Sequence, residues 1–533
     1  MVLSVPVPRA AAIDQLRRAA DAQPLDPRVW ADLGRELRLA GDLGGAAAAC
    51  LRAIELDPSA AQPILSLGLT LKAQGRLVEA AEAFRRAIRA DPHYADAFNN
   101  LGNVLSALGR STPALMAYRA ALKRNPSHAD AHSNLGALLR KLGRPGEALD
   151  AAERAAALAP HSAITHYNLA NARAGLEQTG AEEAYRKAID LRPDWASSHL
   201  NYALWLLREG RLKQGFAEYE WRWAKPDAAA LAQRLPHPRW NGQPLDGKVV
   251  LITAEQGLGD ALQCARFIPL LARRGATVLV EAKPGLRELL LTVEGIAGVV
   301  QPGDWIERLD FQIPWLSLPY AFEVELETVP AEVPYVHPPE SLIARWQSTL
   351  PPGARRIGLV WQGNPAATMD AGRSFPLAAM EPLSRTKDAA FVCLQRDHGL
   401  EQLEDAPFPI ARVGPAYDGG SMLDTAALIA NLDLVIACDT AVAHLAGALG
   451  KPVWIALKAP AEWRWLRWRT DSPWYPSARL YRQASTGDWG SVFAAMAQDL
   501  TDWPGEPRPP DFIEPPSQAD ASRPRPRHSR FPW

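Results

Sequence analysis

Residues 432–457, LDLVIACDTAVAHLAGALGKPVWIAL, decide how the second half of this 533-residue chain is read. Leu434-Val435-Ile436-Ala437 is a continuous apolar run, as expected of a parallel strand covered on both faces. A sharp turn at Cys438-Asp439-Thr440 leads into a small-residue helix that reaches Gly450, where a C-cap belongs, with Pro452 just beyond. PVWIAL then supplies a second buried strand. The first amides of a helix lack intrahelical partners, and the helix dipole favours an anion beside them. A strand that feeds such a helix through Asp439 and Thr440 is therefore a phosphate cradle, and it points to a nucleotide ligand on an α/β domain.

Outward from this stretch, composition sets bounds. The length calls for more than one core. Lys and Arg number 58 against 59 Asp and Glu, a net charge of −1, which argues against a general nucleic-acid binder. Cys50, Cys264, Cys393 and Cys438 are far apart and form no CxxC or Cys/His cluster, so neither a disulfide scaffold nor a metal site is expected. The N-terminus lacks a signal-peptide apolar core and no apolar span is long enough for a membrane helix. A cytoplasmic location is expected, with peripheral membrane association left open.

The first 225 residues repeat with a period of 34. Leu33-Gly34, Leu67-Gly68, Leu101-Gly102, Leu135-Gly136 and Leu169-Ala170 keep that step. So do Gly41, Gly75, Gly109 and Gly143, while Pro58, Pro92, Pro126 and Pro160 close each unit. This pattern resembles the tetratricopeptide (TPR) repeat, a pair of antiparallel helices stacked into a solenoid. The last repeat ends in GFAEYEWRW at Trp223. Asn100, Asn134, Asn168 and Asn201 share one register on successive first helices. They look like the asparagine ladder of O-linked N-acetylglucosamine transferases, which implies a surface for an extended peptide backbone. The other reading is that Asn packs well beside the inter-repeat turn.

Periodicity stops after Lys225, and LPHPRWNGQPLDGK is turn-forming. Then KVVLITA leads into EQGLGD (255–260) and a helix, with further strands at ATVLVEA, GVVQPG and FQIPW. After LPPGARR a second alternation follows: RIGLVWQG, AAFVCLQ, PIARVG, LDLVIAC and PVWIAL. Strands alternating with helices imply parallel, doubly wound sheets. The expected fold is thus multidomain, α plus α/β. The TPR array covers 14–225, a linker 226–247, one Rossmann-like domain 248–352, a second 353–503, and a disordered tail 504–533.

Gly-Leu-Gly-Asp in the first domain with AspThrAlaValAlaHisLeuAlaGlyAlaLeuGly in the second resembles glycosyltransferase family 9, the lipopolysaccharide heptosyltransferases. The order of array, EYEWRW, EQGLGD, WQGNP and CDTAVAHLAGALGKPVW is similar to bacterial TPR proteins fused to such a domain. The resemblance implies a GT-B enzyme of two Rossmann-like domains, an acceptor half followed by a donor half. It makes Asp260 the general base, although an Asp there also suits a helix N-cap. Gly257 and Gly259 would let a ligand approach the backbone. Asp439, Thr440, Ala441 and His444 would hold the donor diphosphate, with Arg373 as a cation. A His on an apolar helix and an Arg in a polar loop also have purely structural readings. Gln395 falls where the family places a nucleoside contact, often Glu, and Ala441 where it commonly has Gly. The Trp/Arg-rich 462–481 either closes over a ligand or forms an aromatic interdomain cluster.

No Asp-x-Asp pair occurs, so dipoles and Arg are the expected counter-charges and no metal or cofactor is expected beyond the nucleotide-sugar substrate. The expected function is inverting, metal-independent sugar transfer from ADP-heptose or another nucleotide sugar to a protein or glycan, with the repeats recruiting the acceptor or a partner. A non-catalytic TPR adaptor with a degenerate GT-B module is the alternative, and a nucleotide-sugar epimerase on the same fold is a third reading.

Overall fold

The computed structural model describes residues 9–225, 228, 237–255, 257–283, 285–352, 355–367 and 370–503. The tail from 504, and residues 226–227 and 229–236 of the expected linker, lie outside the described residues. The chain divides into two compact units, Met1–Ser198 and His199–Trp533.

In the first unit the helix Arg9–Ala22 is followed by antiparallel pairs at the expected step. These are Pro27–Leu39 with Leu43–Leu56, Ala61–Ala73 with Leu77–Ala90, Ala95–Ala107 with Ser111–Arg124, Ala129–Lys141 with Pro145–Leu158, and Ala163–Gly175 with Ala181–Leu191. The repeated glycines have two separate causes. Gly75 and Gly109 follow the first helices at φ of +77° and +73°, the left-handed region that ends a helix cheaply only at Gly. Gly68 and Gly102 are steric: a methyl group there would stand 2.6 Å from Phe84 Cε1 and 2.5 Å from Tyr118 Cε1. The missing side chain lets each ring lie on the backbone of the facing helix, with Ala80, Ala87, Ala114 and Ala121 buried around it.

The second unit begins within the helix Ala196–Arg208, so the last repeat expected, the one that ends at Trp223, belongs largely to it. After the helix Leu212–Tyr219 and a 3-10 turn, Glu220–Ala224, come two parallel sheets. The first contains β1 (Val249–Thr253), β2 (Thr277–Glu281), β3 (Ile296–Val300) and β4 (Phe311–Pro314), in the order β3-β2-β1-β4. The second contains β5 (Arg355–Val360), β6 (Ala389–Cys393), β7 (Ile410–Ala411), β8 (Leu434–Cys438), β9 (Val453–Leu457) and β10 (Ala478–Arg482), in the order β10-β9-β8-β5-β6-β7. Every residue of β8 and β9 is buried, which explains their unbroken apolar sequences. Strand order reverses between β1 and β4 and again between β5 and β8, and the C-terminal ends of such strand pairs are where open α/β sheets bind ligands.

The expected linker is not entirely a connector. Trp240 N donates to Gln312 O at 2.9 Å and Gln312 N to Pro238 O at 3.0 Å, so this segment lines the β4 edge of the first sheet. Its Pro and Gly content signals turns but gives no sign of this pairing. Among the described residues no helix is long and apolar enough to cross a membrane.

Candidate active site

β1 and β8 each end in a turn that starts a helix. β1 leads through Ala254, Glu255 and Gly257 to the helix Leu258–Cys264, and β8 leads through Asp439 and Thr440 to Ala441–Ala448. The two helices pack together, so the motifs of the two halves meet. A methyl group on Gly259 would lie 2.8 Å from His444 Cδ2 and 3.4 Å from its Nε2. The Gly259 backbone is therefore approached by an imidazole of the other half, and that space is not open to a ligand. Gly257 differs: its φ is −71° and the nearest atom to an added methyl is Asp260 Oδ2 at 3.5 Å, so its backbone stays accessible.

Asp260 is buried and serves both halves. Its Oδ2 accepts from Gly257 N at 2.8 Å, closing the first turn of its helix. Its Oδ1 is held by Arg464 Nη2 of the other half, and Arg464 Nε donates to Gln263 Oε1 at 3.0 Å. Arg464 comes from the Trp/Arg-rich stretch, most of which forms an aromatic cluster. Trp463, Trp465, Trp474 and Tyr475 are buried, with Phe216 edge-on to Trp463 and Trp474 at 5.5 and 6.4 Å. Arg266 ties the same cluster to the first half, donating to Trp474 O at 2.5 Å and Tyr335 Oη at 3.1 Å.

His444 is buried against this cluster. Its Nδ1 is 2.9 Å from Tyr475 Oη and its ring stacks on Trp465 at 5.2 Å. Burial holds its pKa well below the ordinary histidine value, and the charges of Arg464, Arg373 and Arg266 push the same way. The imidazole is neutral, and its Nε2 lies 4.0 Å from Asp439 Oδ1.

At the start of Ala441–Ala448, Thr440 is the N-cap, but its hydroxyl turns to Cys438 O at 3.3 Å and caps no amide. The Ala441 and Val442 amides thus stand at the helix start without a side-chain cap. Arg373 is beside them. Its Nη2 donates to Asp439 O and lies 3.2 Å from Asp439 Oδ1, while its buried Nε finds no acceptor. The expected cradle residues Arg373, Asp439, Thr440, Ala441 and His444 are therefore gathered at one place.

Gln395 departs from expectation. It is 3% exposed, its Oε1 accepts from Trp361 N and Gln362 N at 3.1 and 3.0 Å, and its Nε2 donates to Gln362 O, Arg396 O and His398 O. With its amide consumed by backbone, it clamps the ends of β5 and β6 and has nothing left for a nucleoside. The asparagine register is also partly occupied within the array. Asn134 Nδ2 donates to Asn99 Oδ1 at 3.0 Å and Asn168 Nδ2 to Ser133 Oγ at 2.7 Å, each bridging to the preceding repeat, while Asn100 donates to Asp96 O at 2.9 Å within its own helix. Asn201 lies in the second unit.

Arg464, Tyr475 and the pair Arg222–Glu255 are not among the site residues expected from the sequence. Glu255 is the first residue of EQGLGD and Arg222 the Arg of EYEWRW, and their side chains form an ion pair at 3.0 Å at the end of β1. The only available signal was that each motif carries an opposite charge beside apolar neighbours.

Residues 9–61 and 99–163 match one tetratricopeptide repeat model and residues 68–109 another, while residues 421–482 match glycosyltransferase family 9 (heptosyltransferase). Protein FlbA of Caulobacter vibrioides is 28% identical over 361 residues, covering 63% of this chain and 58% of FlbA. The chain thus spans little more than half the length of that relative. Among solved structures, YrrB, a TPR protein with an unusual peptide-binding site, is 28% identical, covers 34% of this chain and 95% of its own, and has a TM-score of 0.28. TTC0263, a thermophilic TPR protein of Thermus thermophilus, is 23% identical, with coverage of 34% and 99% and a TM-score of 0.30. The chain carries a tetratricopeptide repeat array followed by an α/β half with a glycosyltransferase family 9 segment.

Proposed function

We propose that the α/β half transfers a sugar from a nucleotide-sugar donor, ADP-heptose or another nucleoside diphosphate sugar, to a hydroxyl of a protein or glycan acceptor in the cytoplasm. The repeat array recruits that acceptor or a partner. The observation that carries this reading is the meeting of the two switch-point helices: Asp260 pairs with Arg464, and Gly259 abuts His444 of the helix whose start carries no side-chain cap. The donor diphosphate is received by the Ala441 and Val442 amides and by Arg373, whose buried Nε–H has no other acceptor. Asp260, oriented by Arg464, takes the acceptor proton as the new C–O bond forms and the C–O bond to the diphosphate breaks. The nucleoside diphosphate leaves, and the anomeric centre inverts. Helix dipole and guanidinium supply the counter-charge to the leaving group.

The test is a panel of ADP-, UDP- and GDP-sugars presented to purified full-length protein, read by thermal shift and by release of nucleoside diphosphate. Binding with release supports transfer, and absence of both overturns it. A second reading, a non-catalytic adaptor, is favoured by one observation: Asp260, Arg373 and Gln395 all have protein partners. It predicts binding without turnover.

A further inference from the structure

The motif EYEWRW takes no part in the Arg373–Ala441 cradle, yet it reaches the end of β1 through Arg222. β1 and β4 part at the switch point of the first sheet, where a ligand crevice is expected. Arg222 occupies this crevice with all five of its N–H groups engaged. Nε donates to Glu255 Oε2 at 3.0 Å, and Nη2 to Glu255 Oε1 at 3.2 Å and Ser317 Oγ at 2.7 Å. Nη1 donates to Glu220 Oε1 at 2.6 Å and Tyr219 O at 3.2 Å. Glu255 Oε1 also accepts from Leu316 N, just past β4, at 2.7 Å. The Arg222 and Glu255 side chains are 8% and 4% exposed. A bidentate guanidinium–carboxylate pair fixes direction as well as distance.

Glu255 is two residues before Gly257, whose amide holds the Asp260 carboxylate, and Asp260 in turn holds Arg464 of the donor half. We propose that Arg222 is a positioning residue for sugar transfer: through Glu255 it fixes the backbone that presents Gly257 and Asp260 to the cleft. EYEWRW and EQGLGD are then two parts of one device, and the turn Glu220–Ala224 belongs to the transfer apparatus rather than to the repeats. This inference rests on the glycosyltransferase reading for its effect on rate but not for its effect on the loop.

The experiment compares full-length wild type, Arg222→Lys and the double variant Arg222→Gln/Glu255→Gln. Lysine keeps the charge but not the planar fork, and the amide pair restores a neutral hydrogen-bonded contact. Hydrogen exchange should rise about tenfold or more in peptides spanning 254–264 of Arg222→Lys, and rise also at the other partners of the pair in 219–222 and 315–317, with the rest of the α/β half unchanged and partial recovery in the double variant. Unchanged exchange in 254–264, or an even rise across the whole α/β half, overturns the proposal. With whichever nucleotide sugar the wild type turns over, Arg222→Lys should lower kcat about 10- to 100-fold while donor KM stays within about threefold. A change in KM alone also overturns it. If the wild type turns over no sugar, the transferase reading fails, and the exchange measurement still decides the role of Arg222.

Discussion

Gly257 and Gly259 are two residues apart at one strand-to-helix turn, Gly257 as the N-cap and Gly259 in the first turn of the helix, and the geometry sets opposite responses to the same added methyl. At Gly259 the methyl would meet His444 Cδ2 at 2.8 Å, roughly 1 Å inside normal contact, and Nε2 at 3.4 Å, at its edge. His444 has little freedom to retreat, held by Tyr475 Oη at 2.9 Å and stacked on Trp465. Overpacking of this kind costs about 1–3 kcal/mol, and the better helix propensity of Ala returns about 1 kcal/mol, so Gly259→Ala should destabilise by up to about 2 kcal/mol. Gly257→Ala, with 3.5 Å to its nearest neighbour and an ordinary φ, should stay within about 0.5 kcal/mol of wild type. Urea unfolding followed by tryptophan fluorescence suits the measurement, because Trp30 and Trp195 are the two tryptophans of the first unit and all others lie in the second. The decisive step is a double-mutant cycle. In a His444→Ala background the clash is gone, and Gly259→Ala should become neutral or stabilising. If Gly259→Ala costs the same with and without the imidazole, the steric argument is wrong.

Three further outcomes follow from the geometry. In the array, Gly102→Ala would drive a methyl to 2.5 Å from the Tyr118 ring and should cost about 1–3 kcal/mol, relieved by Tyr118→Ala, as read by thermal unfolding monitored by circular dichroism. Gln395→Glu removes both N–H donors that serve three carbonyls and should destabilise the second unit by at least about 2 kcal/mol in urea, even though an acid is common at the related family position. His444 has a folded-state pKa below its unfolded value, so as pH falls below about 6.5 the unfolded chain gains a proton that the folded chain does not. Its contribution to stability should therefore decline by up to about 1.4 kcal/mol per pH unit between that point and the lower folded-state pKa, and His444→Gln should flatten this part of the urea-midpoint profile.

The parts of the fold written in local patterns were legible in the sequence. The 34-residue step needs only near neighbours, and the runs LVIAC and VWIAL are apolar because β8 and β9 are buried along their whole length. The strand-to-helix turns at Gly257–Asp260 and Asp439–His444 were legible for the same reason. What faces those turns was not. Arg464 is 204 residues from the Asp260 it holds, and Arg222 is 33 residues from Glu255 across a stretch that reads as linker. No period or motif encodes such pairings, because they depend on where two sheets and a turn come to rest. Gln395 shows the complementary failure. A polar residue at a strand end looks like a ligand contact, and only the path of the chain through His398 shows that backbone carbonyls consume its amide.

Ala441 stands where the family commonly has Gly, and the local backbone uses no conformation that requires glycine. Thr440 takes the extended N-cap conformation at φ −137° and ψ 171°, which leaves Ala441 as the first residue of the helix. At that position the backbone is helical, so the freedom of a glycine would serve no conformation used here, and alanine is the better helix former by up to about 1 kcal/mol. The property a phosphate needs is an amide without a competing side-chain cap, and the Thr440 hydroxyl, turned to Cys438 O, leaves that amide clear. The restraints in this cleft come instead from its neighbours, Arg373 on Asp439 and Arg464 on Asp260, each a cation already paired with a carboxylate. On the transferase reading proposed above, an incoming diphosphate would compete with Asp439 for Arg373. Its binding should therefore be governed by that exchange of partners more than by the identity of the residue at 441.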